Sequence, residues 1–297
     1  MGDLPLEKTE RTTRQERLAS QSGSDRVVAL FSYAIILVLS FAFVMPFAWQ
    51  VSSALKPPEE IFAFPIQWIP RHPGLQNFVE AWKANPLGRY TLNTTRLTLL
   101  SLVGHILVSS FVGYGFAKRR FPGRELMFMI LLATMMVPFH VKAVPLYIIF
   151  KRLNWIDTLK PLVIPAYFGG DAVFIFLFRQ FFRSIPNDLD EAAEIDGCNP
   201  VYIYWRIVFP LSKPVIATVA IFSFMGSWNE LWGPLIYLNT REKYTLSIGL
   251  RYFLGEYTIE YHLFMAASLI AVIPCVVVFF VFQRYFVKGV VLSGLKG

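Results

Sequence analysis

Residues 183–213 read RSIPNDLDEAAEIDGCNPVYIYWRIVFPLSK and stand between two apolar runs, where a solvated connection is the ordinary expectation. The pattern is instead that of two short helices meeting at a sharp corner. Pro186 suits a first helical turn, because its missing N–H has no partner there. Asp188, Asp190 and Glu191 follow, as the positive end of a helix dipole favours. Leu189, Ala192 and Ala193 fall near one face at i, i+3, i+4 spacing. Gly197 fits a left-handed C-terminal cap. Asn199 and Pro200 make an N-cap and first residue for a second helix through Tyr202, Ile203, Trp205, Ile207 and Phe209. Pro210 kinks or ends it, and Pro214 opens the next apolar run. Tyr202, Tyr204 and Trp205 on one short helix imply either burial under neighbouring helices or a surface for another protein. Both hold if the corner is exposed and the aromatic helix buried.

Outward from this loop the chain is greasy. Of its 297 residues 55% are hydrophobic and only 16% charged, against about 25% charged in a soluble domain. A membrane helix needs roughly 20 mostly apolar residues to cross about 30 Å of hydrocarbon. Six runs meet that length: 27–55, 97–117, 126–150, 159–182, 214–237 and 263–283. The third is interrupted by His140 and Lys142, the fourth by Lys160, Asp171 and Arg179, the fifth by Glu230. The expectation is an all-α polytopic membrane protein with six spans and a short helix in the 183–213 loop.

Residues 1–26 are polar and carry Lys8, Arg11, Arg14, Arg17 and Arg26. The apolar run after them is too long for a signal-peptide core and has no small-residue cleavage site. The reading is a disordered tail before an uncleaved first span. An even number of spans puts both termini on one side. With the N-terminus inside, the inner segments hold sixteen Lys and Arg and the outer ones ten, and the short loop Lys118-Arg119-Arg120-Phe121-Pro122-Gly123-Arg124 argues most clearly. The net charge of +8 therefore reads as membrane orientation rather than nucleic-acid binding. Cys198 and Cys275, the only cysteines, show no paired spacing, which excludes a disulfide framework and a Cys-based zinc site.

One further pattern carries a resemblance. Glu191-Ala192-Ala193, three residues, Gly197, nine residues, Ile207, one residue, Phe209-Pro210 resembles the EAA loop of ABC importer permeases, with Phe209 where Leu is usual. Trp228-Asn229-Glu230, Gln283-Arg284-Tyr285-Phe286-Val287 and Gly294-Leu295-Lys296-Gly297 are similar to the carbohydrate branch, and to the second permease of maltose-type importers. The resemblance spans residues 27–297 and makes them one importer transmembrane domain. It implies that the loop is a cytoplasmic coupling helix seated in a cleft of a separate ATPase. Glu191, Ala192, Ala193, Asp196 and Gly197 would form the docking surface, with Ile207 and Pro210 completing the motif. It also implies a second homologous permease, an ATPase dimer holding ATP and Mg, an extracytoplasmic solute-binding protein, a sugar cargo, and a bacterial inner membrane with both termini cytoplasmic.

The chain's own chemistry agrees in kind. It has no G-x-x-x-x-G-K-[ST] phosphate loop, no Ser/His/Asp constellation and no metal-type histidine pair among four scattered histidines. The expectation is a transport subunit with no catalytic, cofactor or metal site of its own. Charges inside a membrane cost about 3 kcal/mol or more unless they face a cavity or a partner. Trp228, Asn229 and Glu230 offer an aromatic face, an amide and a carboxylate, the chemistry of a sugar site, although Glu230 also suits a structural hydrogen bond. Asp171 after Gly169-Gly170 suits either a helix cap or a substrate contact. Lys142 suits snorkelling to the interface; facing a cavity it would favour an acidic sugar. His105 suits a hydrogen bond between helices. Ser109, Gly113 and Ala117 form a small-xxx-small row, with Gly104 and Gly115 to assist, whose partner is a span of this chain or a second permease. A different function class stays open: an ion-coupled carrier acting alone, with Asp171 and Glu230 as its relay. An embedded enzyme lacks its catalytic cluster, and a simple pore has no use for the loop.

Overall fold

The computed structural model describes the backbone of residues 6–255 and 259–294, and the side chains of 27–255 and 259–283. The expected tail, residues 1–26, and the C-terminal motif residues beyond 283 lie outside the residues described in full. Helices make up the described elements, and no strand occurs among them. Four helical stretches are long and apolar enough to cross a membrane, and six if each of two bent pairs, Arg124–Thr134 with Phe139–Arg152 and Pro200–Leu211 with Lys213–Trp228, is one span. The fifth span is counted from Lys213 onward, and Pro200–Leu211 with the loop.

The first span is the apolar part, Val27–Ala54, of the helix Leu6–Ala54. The second, Leu87–Lys118, is a continuous helix with no internal proline. The third is a bent pair, Arg124–Thr134 and Phe139–Arg152, turning 97° between them. Pro138 causes the turn: it disfavours helical geometry in the residue before it, and Met135 and Met136 close the first helix with bonds three residues back. The fourth runs Lys160–Ser184. It breaks at Gly169 and Gly170, both with positive φ, and restarts as the helix Ala172–Ser184.

The fifth span departs from a single run to residue 237. Its helix is Lys213–Trp228, 16 residues, about 24 Å at 1.5 Å per residue and short of the hydrocarbon thickness. It stops at Asn229 and resumes as Trp232–Tyr237. Pro234 explains the stop, since it has no N–H to continue the ladder to Glu230. The sixth helix is Tyr261–Gly294.

Two buried clusters mark the two ends. One gathers Tyr114, Phe178, Phe182, Ile185, Ala193, Ile203, Tyr204, Val208 and Val215 beneath the 183–213 loop. The other gathers Ala54, Ala81, Leu87, Tyr90, Trp228, Leu246, Phe253 and Leu263 at the opposite end. Between them the second and fourth spans meet at the small-residue row. A Cβ on Gly113 would lie 2.7 Å from Phe178 Cβ, and one on Gly170 would lie 2.6 Å from Ser109 Oγ. The row's partner is thus the chain's own fourth span. Gly104 contributes, with Tyr167 and Ala166 where its Cβ would be, but Gly115 has nothing within 4 Å.

Candidate functional site

The 183–213 loop forms the expected elbow. Its first helix is Asp188–Ile195, starting two residues beyond Pro186. It closes with Cys198 N–H bonded to Ala193 O at 2.9 Å and Gly197 N–H to Glu194 O at 3.0 Å, with Gly197 at φ +84°. This pair of bonds around a left-handed residue is a Schellman motif, and it needs glycine for conformation rather than space, because a Cβ there would meet nothing within 4 Å. Asn199 caps the next helix by accepting from Tyr202 N–H at 2.9 Å. From Tyr204 to Val208 the backbone widens to π geometry. Pro210 accounts for this, since it cannot donate to the carbonyl four residues back. A 79° bend then leads into the fifth span.

The first helix has two faces of different use. Asp188, Glu191, Ala192, Ile195 and Asp196 lie at i, i+3, i+4, i+7, i+8 and are all exposed, Ile195 by 86%. Asp190 and Ala193 are buried on the other face. There the carboxylate of Asp190 meets Lys118 Nζ at 2.9 Å, and Glu194 meets Arg119 at 2.7 Å. Lys118 also donates to Ile185 O at 2.7 Å and to Asn187 Oδ1 at 3.0 Å. Arg119 donates to Tyr114 Oη at 2.6 Å, and Tyr114 in turn reaches Pro200 O at 3.4 Å. One turn earlier Ser110 Oγ pairs with Tyr204 Oη at 2.6 Å.

Of the residues the resemblance assigns to docking, Glu191, Ala192, Asp196 and Gly197 are exposed. Ala193 is not: one residue on from Ala192 is a rotation of about 100° on a helix, which turns it into the core with Asp190. Ile207 is half-buried against the loop's own cluster, and Pro210 is exposed. The aromatic helix is divided, with Tyr204 fully buried and Tyr202 and Trp205 about half exposed. Sequence reading passed over Ile195, and over the pairing of Lys118 and Arg119. The available signal for the latter was polar Ser110, Tyr114 and Lys118 at i, i+4, i+8 on one face of the second span.

The polar residues within the spans do not converge on one place. Trp228 is buried; its indole N–H donates to Ala271 O at 3.0 Å and its ring stacks on Phe224 at 5.4 Å. Asn229 is exposed and donates to Met225 O at 2.9 Å. Glu230 accepts from Gly233 N–H at 2.8 Å and so caps the resumed helix. Asp171 caps Ala172–Ser184 by accepting from Val173 N–H at 2.8 Å and Phe174 N–H at 3.4 Å. Lys142 is exposed. The open aromatic ring beside the Asn229–Leu231 break is Trp232, half exposed and 5.5 Å from the His140 ring. Lys142, two residues on, points about 200° round that helix from His140. His105 bonds Ser223 Oγ at 2.8 Å, a link between the second and fifth spans.

At the opposite end the loops are stapled together. Asp157 accepts from Asn239 N–H and Thr240 N–H, both at 2.9 Å, from Thr240 Oγ1 at 2.5 Å, and from Lys243 Nζ at 2.7 Å. Burial opposes its charge, but the Lys243 ammonium, the Thr240 hydroxyl and the two backbone donors outweigh that and hold its carboxyl well below the usual range. The same 238–246 loop is held by the second span: Asn93 donates to Glu242 O and Tyr244 O, and Thr94 Oγ1 accepts from Leu246 N–H at 2.8 Å.

The chain resembles known proteins over most of its length. The family model for binding-protein-dependent transport system inner membrane components matches residues 105–292. The chain is 32% identical over 264 residues to the arabinooligosaccharides transport system permease protein AraQ of Bacillus subtilis, covering 88% of this chain and 93% of that one. It is 31% identical over 266 residues to the diacetylchitobiose uptake system permease protein NgcG of Streptomyces coelicolor, covering 89% and 87%. In three dimensions it superposes with TM-score 0.79 on a chain in the crystal structure of a bacterial ABC transporter involved in the import of the acidic polysaccharide alginate. That match has 22% identity and covers 89% of this chain and 98% of the other, a likeness of fold.

Proposed function

The chain belongs to the binding-protein-dependent transport system inner membrane components, and from that premise we propose that it is the permease subunit through which a sugar or oligosaccharide enters the cell. The exposed acidic stripe Asp188, Glu191, Asp196 with Ile195 at its centre carries the proposal. Its inner acids are committed to Lys118 and Arg119, so the outer face is left to another molecule. That molecule is a cytoplasmic ATPase dimer whose cleft offers an apolar pocket for Ile195 and basic side chains for the acids. ATP and Mg sit on that dimer; this chain has no phosphate loop to hold them.

A second permease completes the path, and a solute-binding protein meets the stapled loops at the opposite end. The docking end lies in the cytoplasm with both termini, in keeping with the basic residues gathered there. The oligosaccharides named for the relatives support a carbohydrate cargo. The open Trp232 ring and Asn229 amide suit it, since a sugar is bound by stacking and hydrogen bonds. An ion-coupled carrier would need free carboxylates in the membrane. Asp171 and Glu230 are both engaged by backbone N–H groups, which disfavours that reading.

The test is co-purification. Affinity-tagged chain, extracted from its native membrane in mild detergent, should bring down a protein with Mg-dependent ATPase activity. Ile195→Glu should weaken this recovery about 10-fold, the range for a central interface anchor. A tagged chain that purifies without an ATPase, and supports uptake alone in vesicles under a proton or sodium gradient, would establish the carrier instead.

A further inference from the structure

The docking elbow is joined through the chain to the fourth and fifth spans, yet its strongest polar contacts are with the second. Ser110, Tyr114 and Lys118 project from one face of that span at i, i+4, i+8, with Arg119 beyond them. Each holds a different part of the elbow: Ser110 grips Tyr204, Tyr114 reaches Pro200 O, Lys118 binds Asp190 and the backbone at Ile185, and Arg119 binds Glu194. The Lys118 side chain is only 2% exposed, so the charge is committed to these partners. Asp190 and Glu194 are one helical turn apart. A helix held at two points cannot pivot about either, so its rotation passes to whatever holds it.

The other end of the same span is also engaged. Asn93 and Thr94 bond the 242–246 backbone. The helix Leu87–Lys118 is 32 residues, and from Thr94 to Lys118 it runs about 36 Å at 1.5 Å per residue. Among the described spans it is the one whose helix has no proline, bend or break. Helices of the first and sixth spans contain Pro46 and Pro274, and the third, fourth and fifth are bent or broken.

We propose that the second span is the connecting rod of the transporter, with Lys118 and Arg119 as positioning residues that clamp it to the docking helix so that motion there is delivered to the 238–246 loop. This inference rests on the permease reading above and adds the route by which the ATPase would be felt at the far side.

The experiment uses the assembled complex in vesicles, with Cys198 and Cys275 replaced by Ala and Glu242→Cys as a reporter on the exposed tip of the loop. The probe is ATP with Mg and vanadate; the readout is the labelling rate of residue 242 by a membrane-impermeant maleimide. In the Lys118/Arg119 background the nucleotide should change the rate about five-fold or more, the scale of ordinary coupling between sites. Lys118→Met with Arg119→Met should bring the change below about two-fold, while the ATPase still co-purifies and hydrolyses ATP. Lys118→Arg with Arg119→Lys should restore it. A double Met variant that keeps the full response overturns the proposal. So does one that loses the ATPase, since the clamp would then only shape the docking surface. A complex with Lys118 and Arg119 intact that retains its ATPase but shows no response overturns the rod alone; a chain that never associates with an ATPase overturns the permease reading.

Discussion

Gly113 and Gly115 lie two residues apart in the second span, and the space around them differs completely. A Cβ on Gly113 would meet Phe178 Cβ at 2.7 Å, Arg179 N at 3.2 Å and Ile175 O at 3.2 Å, while one on Gly115 would meet nothing within 4 Å. Two of the three obstacles are backbone atoms that cannot swing aside. Gly113→Ala should therefore push the second and fourth spans apart and cost about 1–3 kcal/mol, as overpacking does. Gly115→Ala removes helix-destabilising flexibility without a clash and should be neutral or stabilise by up to about 1 kcal/mol. Thermal unfolding of the two variants in detergent checks this; equal midpoints would show that the spans are not in close contact at Gly113. In sequence Gly113 belongs to the row of Ser109, Gly113 and Ala117, while Gly115 is offered only as an assistant to it. Four-residue spacing marks the face on which helices can approach, and packing shows that Gly113 is in contact and Gly115 is not.

At the scale of elements, the helix breaks are where sequence and structure part company most. The elbow was legible because its signals are local: Gly197, Asn199 and Pro200 each dictate backbone geometry within a few residues. The exposed face of the elbow's first helix was half legible. Ala192 and Ala193 look alike in sequence, and only the direction of the core separates them. The breaks at Gly169–Gly170 and Asn229–Leu231 were less so, because a charge in an apolar run reads equally as a site or as a cap. The structure makes Asp171 and Glu230 caps, and Trp228 a core residue bonded to Ala271 O. Asp171→Ala should cost about 0.5–2 kcal/mol of stability and Asp171→Asn much less, since Asn caps nearly as well. As a cap rather than a relay, Asp171 should lose the same amount in sodium as in choline buffer. A sodium-dependent difference between wild type and Asp171→Ala unfolding would put the residue back in a binding role.

Across the whole molecule, one rod bonded at both ends implies that the loop cluster far from the docking helix must itself be rigid. Asp157 is the residue that makes it so, tying the 151–161 loop to Asn239, Thr240 and Lys243. None of this could be read from sequence, since the partners lie more than eighty residues apart and Asp157 sits at φ +62° in a turn with no motif. Its lowered carboxyl pKa sets a pH signature. A carboxyl depressed in the folded state stabilises fully above the ordinary aspartate value of about 3.9, and loses that contribution as pH falls toward the folded value. Asp157→Asn should cost about 1–2 kcal/mol, for charge-assisted bonds discounted by the half-exposed Lys243. The gap between wild type and variant should be constant from pH 8 to about pH 5, then narrow below about pH 4, where the carboxyl of the unfolded wild-type chain takes up a proton that the folded one still refuses. Unfolding midpoints of both proteins across that range decide it, and a gap that widened on acidification would carry the wrong sign for this clamp.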